Sequence, residues 1–338
     1  MIHRNDLSPE KLKLADEILG HGIDADEVLR LRREVFADGV VGPDEVRLLF
    51  HLNEQGTAGH DPAWYDFFVE ALTDYFVWHQ EPVGYVSDAD VGFLVELVDH
   101  DGKIDDATEF ALLVNILHRV QVAQPALVEL ALDGVKQTVL GGGTVLFGPK
   151  RRRPGIIDEA DLDVIRAVVF GAGGDGSLTI SRREAELLFE LNRATAGKKN
   201  AAGWQKLYVE ALGHHLMYLD GAPAIRDRDE AERRERWLDE RRGTGGFMTA
   251  MSRGLKDRIG QALRADDPKT PPPPPGASTP PAPMSRAAVD RAEAAWLAER
   301  LLADGKLDDN EIALLTYIKD TAPAIDDALA PVFAKANL

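Results

Sequence analysis

The chain has 338 residues, 44% apolar and 28% charged, with 39 Lys+Arg against 57 Asp+Glu for a formal charge of −18, and it has no cysteine. Apolar content near the globular average excludes a wholly disordered chain and leaves room for about two domains of ~100–200 residues, while the negative charge opposes nucleic-acid phosphates and anionic lipid surfaces as general partners. Without cysteine there are no thiolate metal sites, disulfides or cysteine nucleophiles.

The first twenty residues, MIHRNDLSPEKLKLADEILG, are charged throughout, so no secretory leader is expected, and no run approaches the ~18 apolar residues of a membrane span. A soluble, cytoplasmic protein is the expectation. Hydrophobic periodicity is helical nearly everywhere, predicting an all-α fold. Helix starts are marked at Ser8-Pro9-Glu10, Asp24 with Glu27, Asp61-Pro62, Ser87 with Asp90, Ser181 with Glu184 and Asp308 with Glu311. In each, a short polar side chain stands ready to accept an amide that has no partner within the helix. Trp64, Phe67, Phe68, Tyr75, Phe76 and Trp78 crowd one predicted helix over 62–80, and Trp204, Tyr208 and Tyr218 crowd another over 200–219. Such stripes read as core, although Trp78 and Tyr85 are candidates for an exposed groove. The adjacent His214 and His215 point about 100° apart on a helix and cannot chelate one ion, so one is expected to face solvent and the other to pack. Only VLGGGTVLFG, over 139–148, suggests a hairpin.

Sliding the chain along itself reveals a duplication. VRLLFHLN at 46–53 matches AELLFELN at 185–192, and WYDFFVEAL at 64–72 matches WQKLYVEAL at 204–212, in the same order and at nearly the same offset. Each copy also carries two Asp-Gly signals, Asp38-Gly39 and Asp101-Gly102 in the first, Asp175-Gly176 and Asp304-Gly305 in the second. The second pair lies much farther apart, by about the length of residues 221–285, which reads as an insertion. The expected organisation is a first helical unit at 1–137, a linker at 138–158, a second unit at 159–220 plus 286–338, and the insertion at 221–285.

In each Asp-Gly unit glycine lets one helix end and the chain reverse, and the apolar Val41, Ile104, Leu178 and Leu307 are expected to point back between two helices. The spacing is also that of an EF-hand loop, with Asp-Gly at positions five and six. On that register Glu45 and Glu311 fall at position twelve, but the second unit has Thr108 there with Glu109 one place late, and position one is Glu34, Leu97, Gly171 or Arg300. A calcium site needing ~6–8 oxygens loses too many ligands this way. Turn stabilisation by the aspartates and third-position capping by Glu45, Glu184 and Glu311 accounts for every unit.

Asp-Gly, an aliphatic residue and a capped acidic helix start, twice in a ~120-residue helical unit, resembles the TerB-like family associated with tellurite resistance. The resemblance covers residues 25–137, then 160–220 joined to 286–338. It implies cation binding by acidic turn residues, carried onto Asp38 and Glu45, Asp101 and Asp105, Asp175 and Glu184, and Asp304 and Glu311. The lengthened loop GAGGDGSLTIS around Asp175 departs from the pattern. Together with Asp99 and Asp308, these acids make Asp38, Glu45, Asp99, Asp101, Asp105, Asp304, Asp308 and Glu311 the candidate oxygen ligands for a divalent cation.

The same loop contains a literal GxGxxG at Gly171, Gly173 and Gly176, but the next helix start is Ser181 and no second strand follows, so a dinucleotide reading fails. No HExxH, GxSxG or Walker-type motif is present, and no enzyme activity is expected. Within the insertion, residues 225–242 hold 14 charged residues of 18. Next, Phe247, Met251, Leu255, Ile259 and Leu263 recur every four residues beside Arg253, Lys256, Arg258 and Arg264. Residues 266–284 hold nine of the 19 prolines, a semi-rigid tether. This basic amphipathic helix is expected to dock on an acidic surface of its own chain or of a protein partner; the chain's charge disfavours a membrane. The functional expectation is a non-enzymatic interaction or scaffold module, the alternative a divalent-cation binder using the acidic turns.

Overall fold

The computed structural model describes residues 6–35, 41–56, 61–79, 83–98, 104, 106–141, 154–171, 180–217 and 288–338. These residues form helices and their connections, an all-α protein in which the one β-type pairing among the described residues is an isolated parallel bridge between Val289 and Ile325. Two compact units result, one from Met1–Ile156 with Val168–Ser177, the other from Ile157–Ala167 with Leu178–Leu338.

The first unit holds α1 (Pro9–His21), α2 (Ala25–Val35), α3 (Pro43–Gln55), α4 (Pro62–Thr73), α5 (Asp88–Val98), α6 (Ala107–Arg119) and α7 (Pro125–Gly141). Its helix starts obey the capping signals. Ser8 accepts the Lys11 amide, Asp24 those of Asp26 and Glu27, Asp61 that of Ala63 and Ser87 that of Asp90. Helix α1 packs on α3, α2 on α4, and α6 on both α4 and α7. Trp64, Phe67, Phe68 and Phe76 are fully buried between them, each contributing roughly 1.5–3 kcal/mol by leaving water.

The helix predicted over 62–80 changes pitch at its end. Asp74–Trp78 is a π turn in which Asp74 and His79 are tied twice, the His79 amide to the Asp74 carbonyl at 3.0 Å and the imidazole to the carboxylate at 2.8 Å. That five-residue closure widens the helix by one residue. Val139–Gly141, the start of the suggested hairpin, instead finish α7, where the Thr138 hydroxyl donates to the Gly134 carbonyl at 2.8 Å. The supposed linker therefore begins as helix, and the rest of the glycine-rich stretch lies outside the described residues.

Helix α8 (Glu159–Gly171) spans the division between units. In the second unit follow α9 (Arg182–Thr195), α10 (Trp204–Met217), α11 (Arg291–Leu301), α12 (Asp309–Thr321), a 3₁₀ turn at Asp327–Leu329 and α13 (Ala330–Ala336). Helix α10 packs on α9 and α12, α11 on the 3₁₀ turn, and α13 on α12. The second aromatic helix starts at Trp204 rather than 200, because Asn200 is held as a strut: it accepts the Ile157 amide at 3.0 Å and donates to the Thr195 carbonyl at 3.2 Å.

Val41 and Ile104 are buried as expected, but in the third Asp-Gly segment the position before the helix cap is filled by buried Ile180, while Leu178 lies outside the described residues. Leu307 is half-buried. Of the four Asp-Gly turns only Asp304-Gly305 is described. Gly305 takes φ +78°, where a side chain is strained, and Asp304 accepts the Lys306 amide at 3.0 Å.

Candidate functional site

The polar interior of each unit is organised around an asparagine that ends the repeated block on α3 or α9. In the first unit Trp64 on α4 donates its indole N–H to Asn53 Oδ1 at 3.0 Å, and Asn53 Nδ2 donates to Asp106 Oδ1 at 2.9 Å. Asp106 caps α6, accepting the amides of Thr108 and Glu109. In the second unit Trp204 on α10 donates to Asn192 Oδ1 at 3.3 Å, and Asn192 Nδ2 donates to Asp308 Oδ2 at 2.7 Å. Asp308 in turn caps α12 through the Asn310 and Glu311 amides. One chain of bonds thus pins three helices in each unit. An amide suits the position because it offers an acceptor to the indole and a donor to the carboxylate at once.

The third position of the capped helix differs between the two. Glu311 Oε2 accepts the Asp308 amide at 2.9 Å, a reciprocal capping box. Glu109 forgoes that bond. Its Oε1 receives the Asn53 amide at 3.4 Å, and its Oε2 is buried with no partner. Burial, with the Asp106 charge beside it, pushes the Glu109 carboxyl up to about 8; burial pushes Glu311 up to about 7 against the restraining Asp308 amide. Above Glu311, Tyr208 replaces the first unit's Phe68; its fully buried hydroxyl has no partner, and burial next to Glu311 and Asp308 drives it well above the usual phenol range.

A further cluster closes the second unit around α11. Trp296 donates to Glu186 Oε1 at 2.7 Å, Arg300 donates to the same oxygen at 3.0 Å, and the Arg182 guanidinium stands 3.9 Å over the indole. His215 on α10 meets that indole edge-on at 5.3 Å and donates Nδ1–H to the Ile180 carbonyl at 2.7 Å, which fixes its neutral tautomer. The expectation that one of the two histidines faces solvent fails: His215 is buried and His214 half-buried, and burial lowers His214 to about 4. Packing on α9 and α12 covers the last turns of α10, and its exposed residues, Gln205 and Lys206, lie in the first turn.

Of the sequence-derived ligand candidates, Glu45, Asp304, Asp308 and Glu311 fall within the described residues. Glu45 accepts the Gly42 amide at 3.0 Å and pairs with Lys11 at 2.8 Å; Asp304, Asp308 and Glu311 are engaged with backbone amides as described. Asp38, Asp99, Asp101, Asp105 and Asp175 lie outside the described residues, as do Phe247, Met251, Leu255, Ile259 and Leu263 of the amphipathic segment. Among the described residues no group of three or more His, Asp or Glu is arranged to hold a metal ion, and no helix is long and apolar enough to cross a membrane. Trp78 and Tyr85, the groove candidates, are each half-buried. Gly171 of the GxGxxG is simply the last residue of α8. Asn53 and Asn192 escaped the sequence reading although both copies end their repeated block on that residue. Compared with family models, characterised proteins and solved structures, the chain matches none.

Proposed function

We propose that the chain is a non-enzymatic interaction module made of two copies of one helical unit, and that the segment inserted in the second copy is its docking element. The Trp–Asn–Asp chain and the capped acidic helix start found in both units support the repeat. The likeness of the Asp-Gly units to TerB-like domains supports a place in a tellurite-type stress response.

The observation that carries the docking role is the closure of the second unit around α11. His215 ends near α10's last turn and meets Trp296 of α11 at 5.3 Å, so the chain departs from and returns to one folded body across residues 218–287. Both ends of the segment are therefore anchored. Its charge sets it apart: residues 221–285 carry 12 Lys+Arg against 10 Asp+Glu, the remainder 27 against 47. A basic amphipathic stripe held on two anchors beside acidic protein has a high local concentration for any acidic, apolar-rimmed protein surface.

A peptide of residues 245–265, titrated by fluorescence anisotropy into the chain deleted of 221–285, is expected to bind saturably and to weaken several-fold between 50 and 300 mM salt. Partner recovery with full-length chain should likewise fall on deleting 245–265. No binding by the peptide together with unchanged recovery would remove the docking role.

A further inference from the structure

We infer that Glu109 is a proton-operated latch, holding the first turn of α6 against α3 and α4 while its carboxyl is neutral and releasing that turn when it ionises. The inference rests on how few partners the carboxyl has and on what surrounds it. Glu109 is 1% exposed, and its only bond is a 3.4 Å share of the Asn53 amide, whose better bond goes to Asp106 at 2.9 Å. One amide thus serves two carboxyl groups. Asp106 already accepts two backbone amides and the shorter Asn53 bond, whereas Glu109 Oε2 is buried with no partner.

The charged groups that bear on it are Asp106 at the head of its own helix and Glu54 on α3, both acids that raise it, and the chain's α-amino group, a weaker influence that lowers it. Ionised, Glu109 is an anion in an apolar interior between two other carboxylates. The second unit is an internal control, because at the same place Glu311 has swung to the Asp308 amide and the Asn310 side chain donates to Asn192 at 2.7 Å. The first unit has Thr108 in place of Asn310 and leaves its glutamate in the interior.

The bonds around Glu109 make the release legible. Asn53 joins it to Asp106 and to the Trp64 indole, and Ile104, 5% exposed, is buried just ahead of the helix cap. Loss of the latch frees the α6 cap, uncovers Ile104 and strips the indole N–H of a held acceptor. The sign follows from linkage. With the closed-state carboxyl at about 8 and the open-state one near its ordinary 4.5, the closed form binds the proton more tightly, so closure is favoured at low pH. The opening constant rises about tenfold per pH unit from about 5 and levels off above 8.

Two measurements on the full chain test it. Carbon-13 titration of the Glu109 carboxyl is expected to give a midpoint near 8, and protection factors of the Thr108 and Glu109 amides, corrected for intrinsic exchange, should fall with rising pH. Glu109→Gln, which keeps the shape and cannot ionise, should flatten that dependence and leave the turn closed at pH 9. A carboxyl midpoint near 4.5, or the same pH dependence in Glu109→Gln, would overturn the latch. If the variant does not fold, the carboxyl midpoint decides alone.

Discussion

Replacing Trp64 by alanine is expected to destabilise the first unit more than Trp204→Ala destabilises the second. Both indoles are at most 1% exposed, and deleting a buried aromatic costs about 3–5 kcal/mol. The difference arises in what each leaves behind. Without Trp64, Asn53 Oδ1 loses the indole N–H it accepts inside the core, an added cost of about 1–3 kcal/mol. Without Trp204, Asn192 Oδ1 keeps the Asn310 amide at 2.7 Å. Native-state hydrogen exchange, read separately on α4 and α6 and on α10 and α12, measures each unit in the intact chain. Equal losses, or a larger loss for Trp204→Ala, would show that the asparagine chain is not what separates the two cores.

Gly213→Thr is expected to destabilise the second unit by about 1–3 kcal/mol through overpacking, although a glycine replaced in mid-helix ordinarily gains stability. A side chain on Gly213 collides with the Tyr317 ring, which lies over that point of α10. The first unit solves the same crossing differently. There Thr73 occupies the corresponding place on α4, and Asn115, opposite it on α6, donates to its hydroxyl at 2.6 Å. Gly213→Thr combined with Tyr317→Asn transplants that pair, and the double variant should be more stable than the Gly213→Thr single variant. Thermal unfolding of the four members of this cycle gives the coupling; additivity would mean that the two positions do not meet.

The helix boundaries were legible because capping is local chemistry. All six marked starts are helix starts, since a Ser or Asp side chain beside orphan amides needs no tertiary partner to act. Two starts of the same spacing are not among the six: Asp106 with Glu109 ahead of α6, and Asp290 with Glu293 ahead of α11, the latter following the proline-rich stretch and belonging to neither duplicated block. The π turn at Asp74 has no sequence signal of its own; it follows from a side-chain pairing across five residues. The site was harder to read. Asparagine carries no signature of reactivity, and its role appears only when α4 and α6 bring an indole and a carboxylate to it. Glu109 was visible as an acid one place off the calcium-loop register, while the burial that sets its protonation is a property of packing. Ile180 took the place expected of Leu178 because the lengthened loop broke the spacing on which that expectation relied.

Closure of the second unit around α11 also sets an order of events during synthesis. The first unit's helices α1 to α7 are contiguous, whereas α10 must wait for α12, its packing partner, about a hundred residues later, some 5–20 s at translation rates of ~5–20 residues per second. Over that interval the apolar face of α10, with Trp204, Leu207 and Leu212, has no α12 to cover it. The equilibrium cost of the long excursion is small, since loop entropy grows by only about 0.6 kcal/mol per doubling of length. The burden is one of time rather than stability, and it falls on the nascent chain: a ribosome-bound intermediate ending before residue 309 exposes a half-built core that a chaperone can recognise.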